Sequence, residues 1–553
     1  MDYRWSNLGK AYSLQDVLRF ITKERGFTKQ QMLEFLNNKN KMHNPFLFKN
    51  MDKIVEKIFY HINNDNKILI VADYDCDGVS SGYILFRTLK YLDANVEVKL
   101  PHRLYDGYGL KPKMIKYAYD NKFDLIITVD NGITAVDSVE MAKKLNIDII
   151  ITDHHQPQES LPDCLFLDAH VDGSGYPFNG LCGAGVAFKL SNALIPNFKD
   201  CSIYDDLLQI CSIATIADAM DIIDENRTIV IDGLKVLNSN KQNIGIKNLL
   251  IQMGINNKEI QLDTIGFYIG PCINAAGRMD SPDKALDLLM CDDDYKSEKC
   301  AKILIELNDK RKQLQKQITN NLIINEENKC LIVEVDPGIA GIGGIIASNI
   351  TEKYQKPCFV VHGENILSGS GRTIGEFPII ECLTKNEDLI NGGGGHSAAC
   401  GLSIDRSKLN IFQNRCNEIY SSWLINNPDL INPVIKATCE VDFTIISDRL
   451  YNNISKLKPF GNGNEEPIFI SNNVEVISNK VVGKFENTIQ FTFCQKFKTI
   501  KGIGFEKIKN KYIELGSPSK VNLMYKISIN EWPTGIFNLQ LIVVDIHLLE
   551  DNL

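Results

Sequence analysis

The sequence predicts an α/β protein: a parallel-sheet domain and a smaller α/β domain joined by a long helix, followed by a C-terminal β-barrel. Three observations predict this. Between residues 66 and 168, short apolar runs alternate with amphipathic stretches, as in a parallel sheet buried on both faces. A charged stretch of helical composition, 296–324, precedes a second alternation of the same kind. From about residue 435, closely spaced apolar strands replace the helices, as in small barrels.

The composition limits the class of protein. The 553 residues are 44% hydrophobic and 23% charged, with a net charge of −9, so a nucleic-acid partner held by overall charge is not expected, although a local basic groove is compatible. The 15 cysteines form no CxxC pair, which indicates reduced thiols and neither a disulfide framework nor a zinc site. Neither a signal core nor a membrane-length apolar run occurs. A cytoplasmic protein without membrane contact is therefore expected.

The predicted parallel strands share one feature, an aspartate directly after each apolar run. These residues are Asp73, Asp130, Asp153 and Asp168. Ligand sites of open parallel sheets form beyond the carboxyl ends of the strands. Acidic side chains that are distant in sequence should therefore meet at one edge of this sheet.

Further acids and imidazoles belong to the same predicted edge: Asp75 and Asp77 in DYDCDG, His154 and His155 in DHH, and Asp218 in TIADAM. Each piece alone has an ordinary explanation, such as a solvated acidic turn or a surface histidine pair. Together they favour a site, because crowded carboxylates repel unless one or two divalent cations neutralise them. Oxygen ligands with one or two imidazoles suit Mn²⁺ or Mg²⁺.

The remaining chain divides by pattern. The stretch 296–324 has only a sparse apolar stripe, which is equally compatible with a linker between lobes and with a surface helix. The barrel strands are compatible with an oligonucleotide-binding (OB) barrel. The expected domains are a helical segment 1–50, a catalytic domain 51–295, a connecting helix 296–325, a second α/β domain 326–405, a linker or helix 406–434 and an OB-like domain 435–553.

The ordered motifs DYDCDG, VDNG, DHH and TIAD resemble those of the DHH phosphoesterases. Longer stretches narrow the resemblance to the RecJ family of single-strand-specific exonucleases, and they extend it over nearly the whole chain: PHRLYDGYGL, YPFNGLCGAGVAFKL, INAAGRM, SGSGRT, GGGGHSAACGLSI and KPFGNGNEEPIF. The resemblance implies a DHH domain, a DHHA1 domain and an OB domain. It also implies an entrance between the lobes too narrow for duplex DNA.

The resemblance also implies residue roles. The metal ligands would be Asp75, Asp77, Asp130, His154 and Asp218, holding two ions of Mn²⁺ or Mg²⁺. His155 would contact the scissile phosphate or the second metal, while Asp153 would orient the imidazoles, and an outer role is favoured for Asp73. Substrate contacts would come from Arg103, Arg278, Ser370, Arg372 and His396, with Ser370 and Arg372 forming a 5′-phosphate pocket. An isolated arginine would more often be a surface ion pair.

Two departures from the family pattern affect the details of substrate contact. Asp168-Ala169-His170 replaces the usual Asn-Pro after the fourth strand, and Val335-Asp336-Pro337 stands where Trp-His often opens the DHHA1 segment. The metal set is unaffected by either.

The function implied is a metal-dependent 5′→3′ exonuclease of single-stranded DNA that releases 5′-mononucleotides in repair or recombination. The family often works beside a helicase or a single-strand-binding protein, and a monomer is expected. One alternative is a DHH phosphodiesterase of short oligonucleotides or cyclic dinucleotides, which the C-terminal region 435–550 disfavours. Another is a non-catalytic DNA-binding scaffold, which the intact ligand set disfavours.

Overall fold

The structure, a computed structural model, describes residues 3–37, 42–103, 107, 109–322, 324–430, 434–483, 485–530 and 538–549. It contains two compact units. One combines Met1–Asn40 with Asn427–Leu553, and the other is Lys41–Asn426. Within the described residues, no helix combines the length and the apolar character needed to cross a membrane.

The N-terminal segment contains strands as well as the predicted helices. Its elements are β1 (Arg4–Asn7), β2 (Lys10–Ala11), α1 (Leu14–Glu24) and α2 (Lys29–Leu36). Ser13 caps α1 and Thr28 caps α2, each by accepting a backbone N–H three residues on, as expected at helix starts.

The first sheet is parallel throughout, with strand order β4-β3-β5-β6-β7. Side chains alternate between two apolar layers: Ile68 and Ile70 face one, whereas Leu69 and Val71 face the other. Burial on both faces explains the unbroken apolar runs. The elements are α3 (Met51–Asn63), β3 (Ile68–Ala72), α4 (Cys76–Tyr91), β4 (Val96–Lys99), α5 (Pro112–Asp120), β5 (Leu125–Val129), α6 (Val136–Lys144), β6 (Asp148–Thr152) and β7 (Leu165–Leu167).

A helical region follows the first sheet and ends in the predicted long helix. Its elements are α7 (Gly183–Leu194), α8 (Tyr204–Ala217), α9 (Asp224–Leu237), α10 (Ile244–Gln252), α11 (Leu262–Thr264), α12 (Gly270–Met279), α13 (Asp283–Met290) and α14 (Asp294–Asn321). The sparse stripe of α14 serves two cores. Leu304 packs in the core of the first sheet, while Leu314 and Ile318 pack against that of the second. The long helix therefore connects two lobes of one unit.

The second sheet is mixed, with strand order β11-β12-β10-β9-β8. Only β8 and β9 pair in parallel; the other pairs are antiparallel. Helix α15 covers one face, and the side chains of α16 and α17 form the core on the other. The elements are β8 (Leu331–Glu334), α15 (Gly343–Tyr354), β9 (Cys358–Gly363), β10 (Ile366–Arg372), α16 (Glu381–Thr384), β11 (Ile390–Gly395), β12 (Ala399–Asp405) and α17 (Leu409–Asn426).

The C-terminal region contains a closed barrel of β15, β16, β17, β19 and β18, because β15 pairs with both β16 and β18. Its elements are β13 (Val434–Ala437), β14 (Cys439–Val441), α18 (Asp448–Ser455), β15 (Phe469–Val482), β16 (Thr488–Gln495), β17 (Lys498–Phe505), α19 (Glu506–Glu514), β18 (Lys520–Asn530) and β19 (Asn538–His547). Phe469 is fully buried in the barrel core, and Phe460 packs partly buried against it.

The N-terminal strands pair with this C-terminal region. β1 lies parallel to β13, and β2 lies parallel to β14. Arg25 donates to the side-chain oxygen of Asn464, in the KPFGNGNEEPIF motif, from Nε at 3.1 Å and Nη2 at 3.0 Å. The segment predicted as a separate helical stretch, 1–50, is thus divided at its end between two units.

Candidate metal centre

The carboxyl edge of the first sheet collects the predicted acids. Asp73, Asp130, Asp153 and Asp168 each directly follow a strand, and all four are at most 3% exposed. Ligand atoms of Asp73, Asp75 and Asp130 lie within 4.8 Å of one another. This is the convergence expected where parallel strands end at one edge.

Two helix N-termini hold the acids of DYDCDG. Asp75 caps α4 through Oδ1, which accepts the N–H groups of Asp77 and Gly78 at 3.0 Å. Asp77 accepts from α7: the N–H of Gly183 donates to Oδ2 at 2.6 Å, and that of Ala184 donates to Oδ1 at 2.8 Å. Exposed N–H groups at a helix start stabilise a carboxylate. Backbone groups of α7, rather than a cationic side chain, therefore fix Asp77 in position.

Asp130 and His154 form the centre of the site. His154 Nε2 lies 3.0 Å from Asp130 Oδ1, 3.6 Å from Asp77 Oδ2 and 3.9 Å from Asp218 Oδ2. Burial lowers the pKa of His154, against the opposing effect of the Asp77 charge, so the imidazole is neutral at neutral pH. Within the described residues, Asp130 Oδ1 has no hydrogen-bond partner. The 3.0 Å contact between His154 Nε2 and Asp130 Oδ1 therefore lacks hydrogen-bond geometry, and both atoms are candidate ligands of a cation.

The ionised forms of the clustered carboxyl groups are unfavourable without a cation. Burial and the charges of Asp77 and Asp75 raise the pKa of Asp218 to about 8, and the same causes raise that of Asp130 well above its ordinary value. Burial and the Asp77 charge also raise the pKa of Asp75. Like charges in one buried place disfavour ionisation unless a metal compensates.

The donor set fits hard divalent ions. Ligand atoms form overlapping groups, each within 4.8 Å: Asp77 with His154 and Asp218, Asp130 with His154 and His155, and Asp73 with Asp75 and Asp130. Carboxylate oxygens with one or two imidazoles are ligands for Mn²⁺ or Mg²⁺. Asp73 has an oxygen, Oδ1, without a hydrogen-bond partner in the described part of the chain, so it is a direct ligand candidate, although the sequence favoured an outer role.

Asp153 is positioned differently from the other acids. Its Oδ1 lies 2.7 Å from His155 Nδ1, and its Oδ2 accepts the N–H of Ile133 at 2.9 Å. Burial alone would raise its pKa, but these bonds and the His155 charge outweigh burial and lower it. For His155, burial acts to lower the pKa, but the hydrogen bond and charge of Asp153 prevail and raise it to about 9. The pair is thus a carboxylate and an imidazolium.

Two of the predicted arginines lie beside this edge. The Arg103 guanidinium lies 5.3 Å from the ring centre of Tyr74, which stands between the clustered acids. Arg278 is in α12; burial and the Arg103 charge lower its pKa to about 10, so it remains a cation. In the described part of the chain, Arg278 has no carboxylate within ion-pair distance. Residues 104–106 and 108 of the PHRLYDGYGL motif lie outside the described residues.

The other substrate candidates belong to the second sheet. Ser370 and Arg372 are on β10, and a Cβ added at Gly344, in the first turn of α15, would lie 2.8 Å from Arg372 Nη2. A helix N-terminus, a hydroxyl and a guanidinium therefore meet there, a combination that binds anions. His396 lies after β11, is exposed, and its backbone N–H donates to Ala399 at 2.8 Å.

Sequence reasoning missed several residues that shape the centre. Gly183 must lack a side chain, because a Cβ there would lie 2.5 Å from Asp130 Cβ. Asn274 of α12 accepts the N–H of Cys76 at 2.8 Å, and a Cβ at Gly277 would lie 2.6 Å from the carbonyl oxygen of Tyr74. These contacts join segments about 50 to 200 positions apart in sequence, so only the fold reveals them.

The two departures from the family pattern have defined positions. Asp168 Oδ1 accepts the N–H of His170 at 2.8 Å, and burial with the Asp153 charge raises the pKa of Asp168 to about 7. Asp336 caps a 3₁₀ turn by accepting the N–H of Gly338 at 2.7 Å. That turn packs against α12, since a Cβ at Gly341 would collide with the carbonyl oxygen of Arg278.

Known proteins resemble the chain over most of its length. Residues 67–215 match the DHH family N-terminal domain, and residues 438–545 match the RecJ OB domain. The single-stranded-DNA-specific exonuclease RecJ of Bacillus subtilis is 33% identical over 92% of the chain, which spans 65% of that protein's length. RecJ of Salmonella typhimurium is 30% identical, with 90% of each covered.

Crystal structures share the fold. RecJ of Thermus thermophilus in complex with Mn²⁺ superposes with a TM-score of 0.81 at 24% identity, covering 98% of this chain and 79% of that one. The same protein in complex with Mg²⁺ gives 0.73 at 22% identity, covering 98% and 78%.

Proposed function

Because the chain belongs to the RecJ family of single-stranded-DNA-specific exonucleases, we propose that it degrades single-stranded DNA from the 5′ end and releases 5′-mononucleotides. The observation that carries the proposal is the set of overlapping ligand groups around Asp130 and His154 at one sheet edge. The family relatives supply the substrate class. The 5′ polarity rests on the candidate phosphate pocket of Ser370 and Arg372.

In this proposal Asp75, Asp77, Asp130, His154 and Asp218 hold two divalent ions, Mn²⁺ or Mg²⁺, with Asp73 as a further ligand candidate. The two ions would be held by the overlapping ligand groups, which share Asp130 and His154. When bound, such ions lower the pKa of a water molecule and neutralise charge at the phosphorus. The N–H groups of Gly183 and Ala184 keep Asp77 aimed at the site.

His155 contacts the scissile phosphate in this scheme. Asp153 keeps the imidazolium charged and oriented through the bond to Nδ1, and this positive charge attracts a phosphate oxygen. Arg103 and Arg278 bind neighbouring phosphates, since a guanidinium can donate two parallel hydrogen bonds to phosphate oxygens. His396 contacts the DNA backbone. The OB barrel adds affinity for single strands.

The division into domains follows the same scheme: 51–295 carries the reaction, 296–325 connects it to 326–405, which binds the 5′ phosphate, and 435–553 binds the strand. The partners expected from the sequence, a helicase or a single-strand-binding protein, stay predictions, as do the monomeric state and the cytoplasmic location.

The test is digestion of a 5′-phosphorylated single strand labelled at either end, with Mn²⁺ or Mg²⁺ and with EDTA, beside a duplex of the same sequence. Labelled mononucleotide should appear early only from the 5′ end of the single strand, and EDTA should abolish it. Asp218→Asn should reduce the rate by about 10³-fold, since several kcal/mol of transition-state stabilisation depend on the ions.

Asp221→Asn is the matched control, because this exposed acid lies three positions further on; it should retain the full rate. Release from the 3′ end would contradict the polarity. Cleavage of dinucleotides without attack on the polymer would replace the proposal by a small-substrate phosphodiesterase.

A further inference from the structure

A second cluster of potential ligands lies in the core of the second sheet. Cys330, Cys382 and Cys416 have no solvent exposure, and their Sγ atoms all lie within 4.8 Å of one another. Cys330 directly precedes β8, Cys382 is in α16 and Cys416 is in α17. Three elements, joined by long stretches of chain, thus bring three thiols to one point.

The backbone around these thiols is fixed by amide side chains. Asn417 accepts the N–H of Cys330 at 2.9 Å, and Gln413 donates to the Cys330 carbonyl at 2.6 Å. The buried Asn386 donates to the Cys382 carbonyl at 2.8 Å. Such hydrogen bonds hold ligands in a fixed geometry, as around metal sites.

Within the described part of the chain, the three thiols contact one another rather than polar groups of other residues. Cys330 forms side-chain hydrogen bonds with both Cys382 and Cys416. The surrounding core is apolar and includes Phe359 and Phe377. A buried thiolate among aromatic rings is costly unless a cation accompanies it.

We propose that Cys330, Cys382 and Cys416 bind one thiophilic cation, Zn²⁺ or Cu⁺, that stabilises the second sheet. Thiolates select these ions over Mg²⁺ or Mn²⁺. Bonds of about 2.3 Å from sulfur to zinc place sulfur atoms about 3.8–4.0 Å apart, so the thiols need only a small inward shift. Each of the three thiols that binds the ion as a thiolate releases its proton to solvent.

Zn²⁺ would need a fourth ligand; Cys400 on β12 lies in the same core but outside the group of sulfur atoms within 4.8 Å, so it would have to move inward to bind. The pKa of Cys400 is raised to about 12, mainly by burial. It also pairs with Gly371 across β10 and β12, and a Cβ at Gly371 would lie 2.8 Å from the Cys400 sulfur. The ion would therefore support the strand that carries Ser370 and Arg372.

The experiment measures metal content of the full-length chain. The protein is produced in medium containing Zn²⁺ and Cu²⁺, purified without chelators under a phosphine reductant, and dialysed against buffer with excess Mg²⁺, which competes for the carboxylate site but not for the thiols. Elemental analysis should find about one equivalent of zinc or copper per chain, and its identity decides between the two ions. X-ray absorption on the same sample should find sulfur neighbours at about 2.3 Å.

Variants connect the ion to the cluster. Cys416→Ser should lose the retained metal, whereas Cys358→Ser should keep it, because Cys358 is equally buried but lies in the core on the other face of this sheet. No retained thiophilic metal in the wild type, a shell of oxygen or nitrogen, or equal metal in Cys416→Ser would each overturn the proposal. The absorption measurement on the wild type decides the matter even if Cys416→Ser does not fold.

Discussion

The two sheets of residues 41–426 each bring sequence-distant side chains together, but in different places. The first sheet collects carboxylates and imidazoles at the carboxyl ends of parallel strands, where helix N-termini and neighbouring charges control them. The second collects thiols inside an apolar core, between β8, α16 and α17. The first arrangement suits hard ions in a reacting site, whereas the second suits a closed structural site.

This difference concerns what each site needs from its surroundings. The acids at the first edge have raised pKa values because they are buried and crowded, so their ionised forms need a compensating cation. The thiols satisfy one another in part by hydrogen bonds, so the surrounding core can form before any ion binds. Removing metal should therefore affect reaction at the first site and stability at the second.

The largest expected effect is that of Asp130→Asn. Asp130 has a φ of +62°, a conformation that asparagine tolerates as well as aspartate, so the fold should be retained while the shared charge is lost. The rate of mononucleotide release should fall by about 10³-fold. Asp93→Asn makes the same change at an exposed position with φ +59° and should leave the rate unaltered. A fall of less than tenfold would remove Asp130 from the ligand set.

The next effect tests geometry without changing a ligand. Gly183→Ala would place a methyl group 2.7 Å from Asp130 Oδ1, forcing α7 away from Asp77. A shift of about 1 Å at a reacting centre costs about 10²-fold in rate, and overpacking costs about 1–3 kcal/mol of stability. Gly266→Ala adds its methyl group in open space and should be silent in both assays. Full activity of Gly183→Ala would show that α7 does not control the site.

The two clusters also differ in how far the sequence predicts them. The meeting of the aspartates that follow apolar runs could be predicted, because the carboxyl ends of parallel strands lie at one edge of the sheet. The contact of Gly183 with Asp77 could not be predicted in this way, because α7 meets the first turn of α4 only through the packing of the whole lobe. The thiol cluster could not be predicted either. Its members are far apart in sequence, whereas metal-binding motifs are recognised by closely spaced cysteine pairs.

Three short strands, β1, β2 and β4, were not predicted from the sequence for a different reason. β4 lies at the edge of the first sheet and has four residues. So short a segment shows too little alternation of apolar and polar residues to be distinguished from a loop. β1 and β2 are fixed by partners more than 400 positions later. In both cases the pairing partner, and not local propensity, determines the strand.

Asp153→Asn should alter the pH profile as well as the rate. The charge of Asp153 keeps the pKa of His155 at about 9, so the imidazolium is present below that pH and lost above it. Without the carboxylate, burial prevails and the pKa falls, so the alkaline limb of the rate profile should move down by about two pH units. The rate at neutral pH should fall by about 10- to 100-fold.

The exposed Asp163 provides the control, since Asp163→Asn should shift neither the limb nor the rate. An unchanged limb with a reduced rate would mean that Asp153 acts only by packing.

Metal removal should give the first site a pH-dependent stability. Without ions, Asp218 titrates at about 8 and Asp130 also has a raised pKa. The folded state then binds more protons than the unfolded state, so stability falls as pH rises from about 4 to about 8. In EDTA the unfolding midpoint should drop by a few degrees between about pH 5 and about pH 8. Mn²⁺ should flatten this slope, and Asp130→Asn should reduce it; a midpoint that rises with pH in EDTA would contradict the crowding of these acids.

The smallest expected effect on the reaction is that of Cys416→Ser, which tests whether the two sites are independent. The thiol cluster contacts no candidate metal ligand of the first edge, among the described residues, but it supports β12, which pairs with the strand of Arg372. The expected result is an unchanged kcat, a rise in KM of about two- to fivefold for 5′-phosphorylated ends, and a lower unfolding midpoint. Cys358→Ser, on the opposite face, should leave KM as it is. A fall in kcat instead would mean that the core of the second sheet controls the chemistry at the first. The carboxylate site and the thiol cluster would then not be independent.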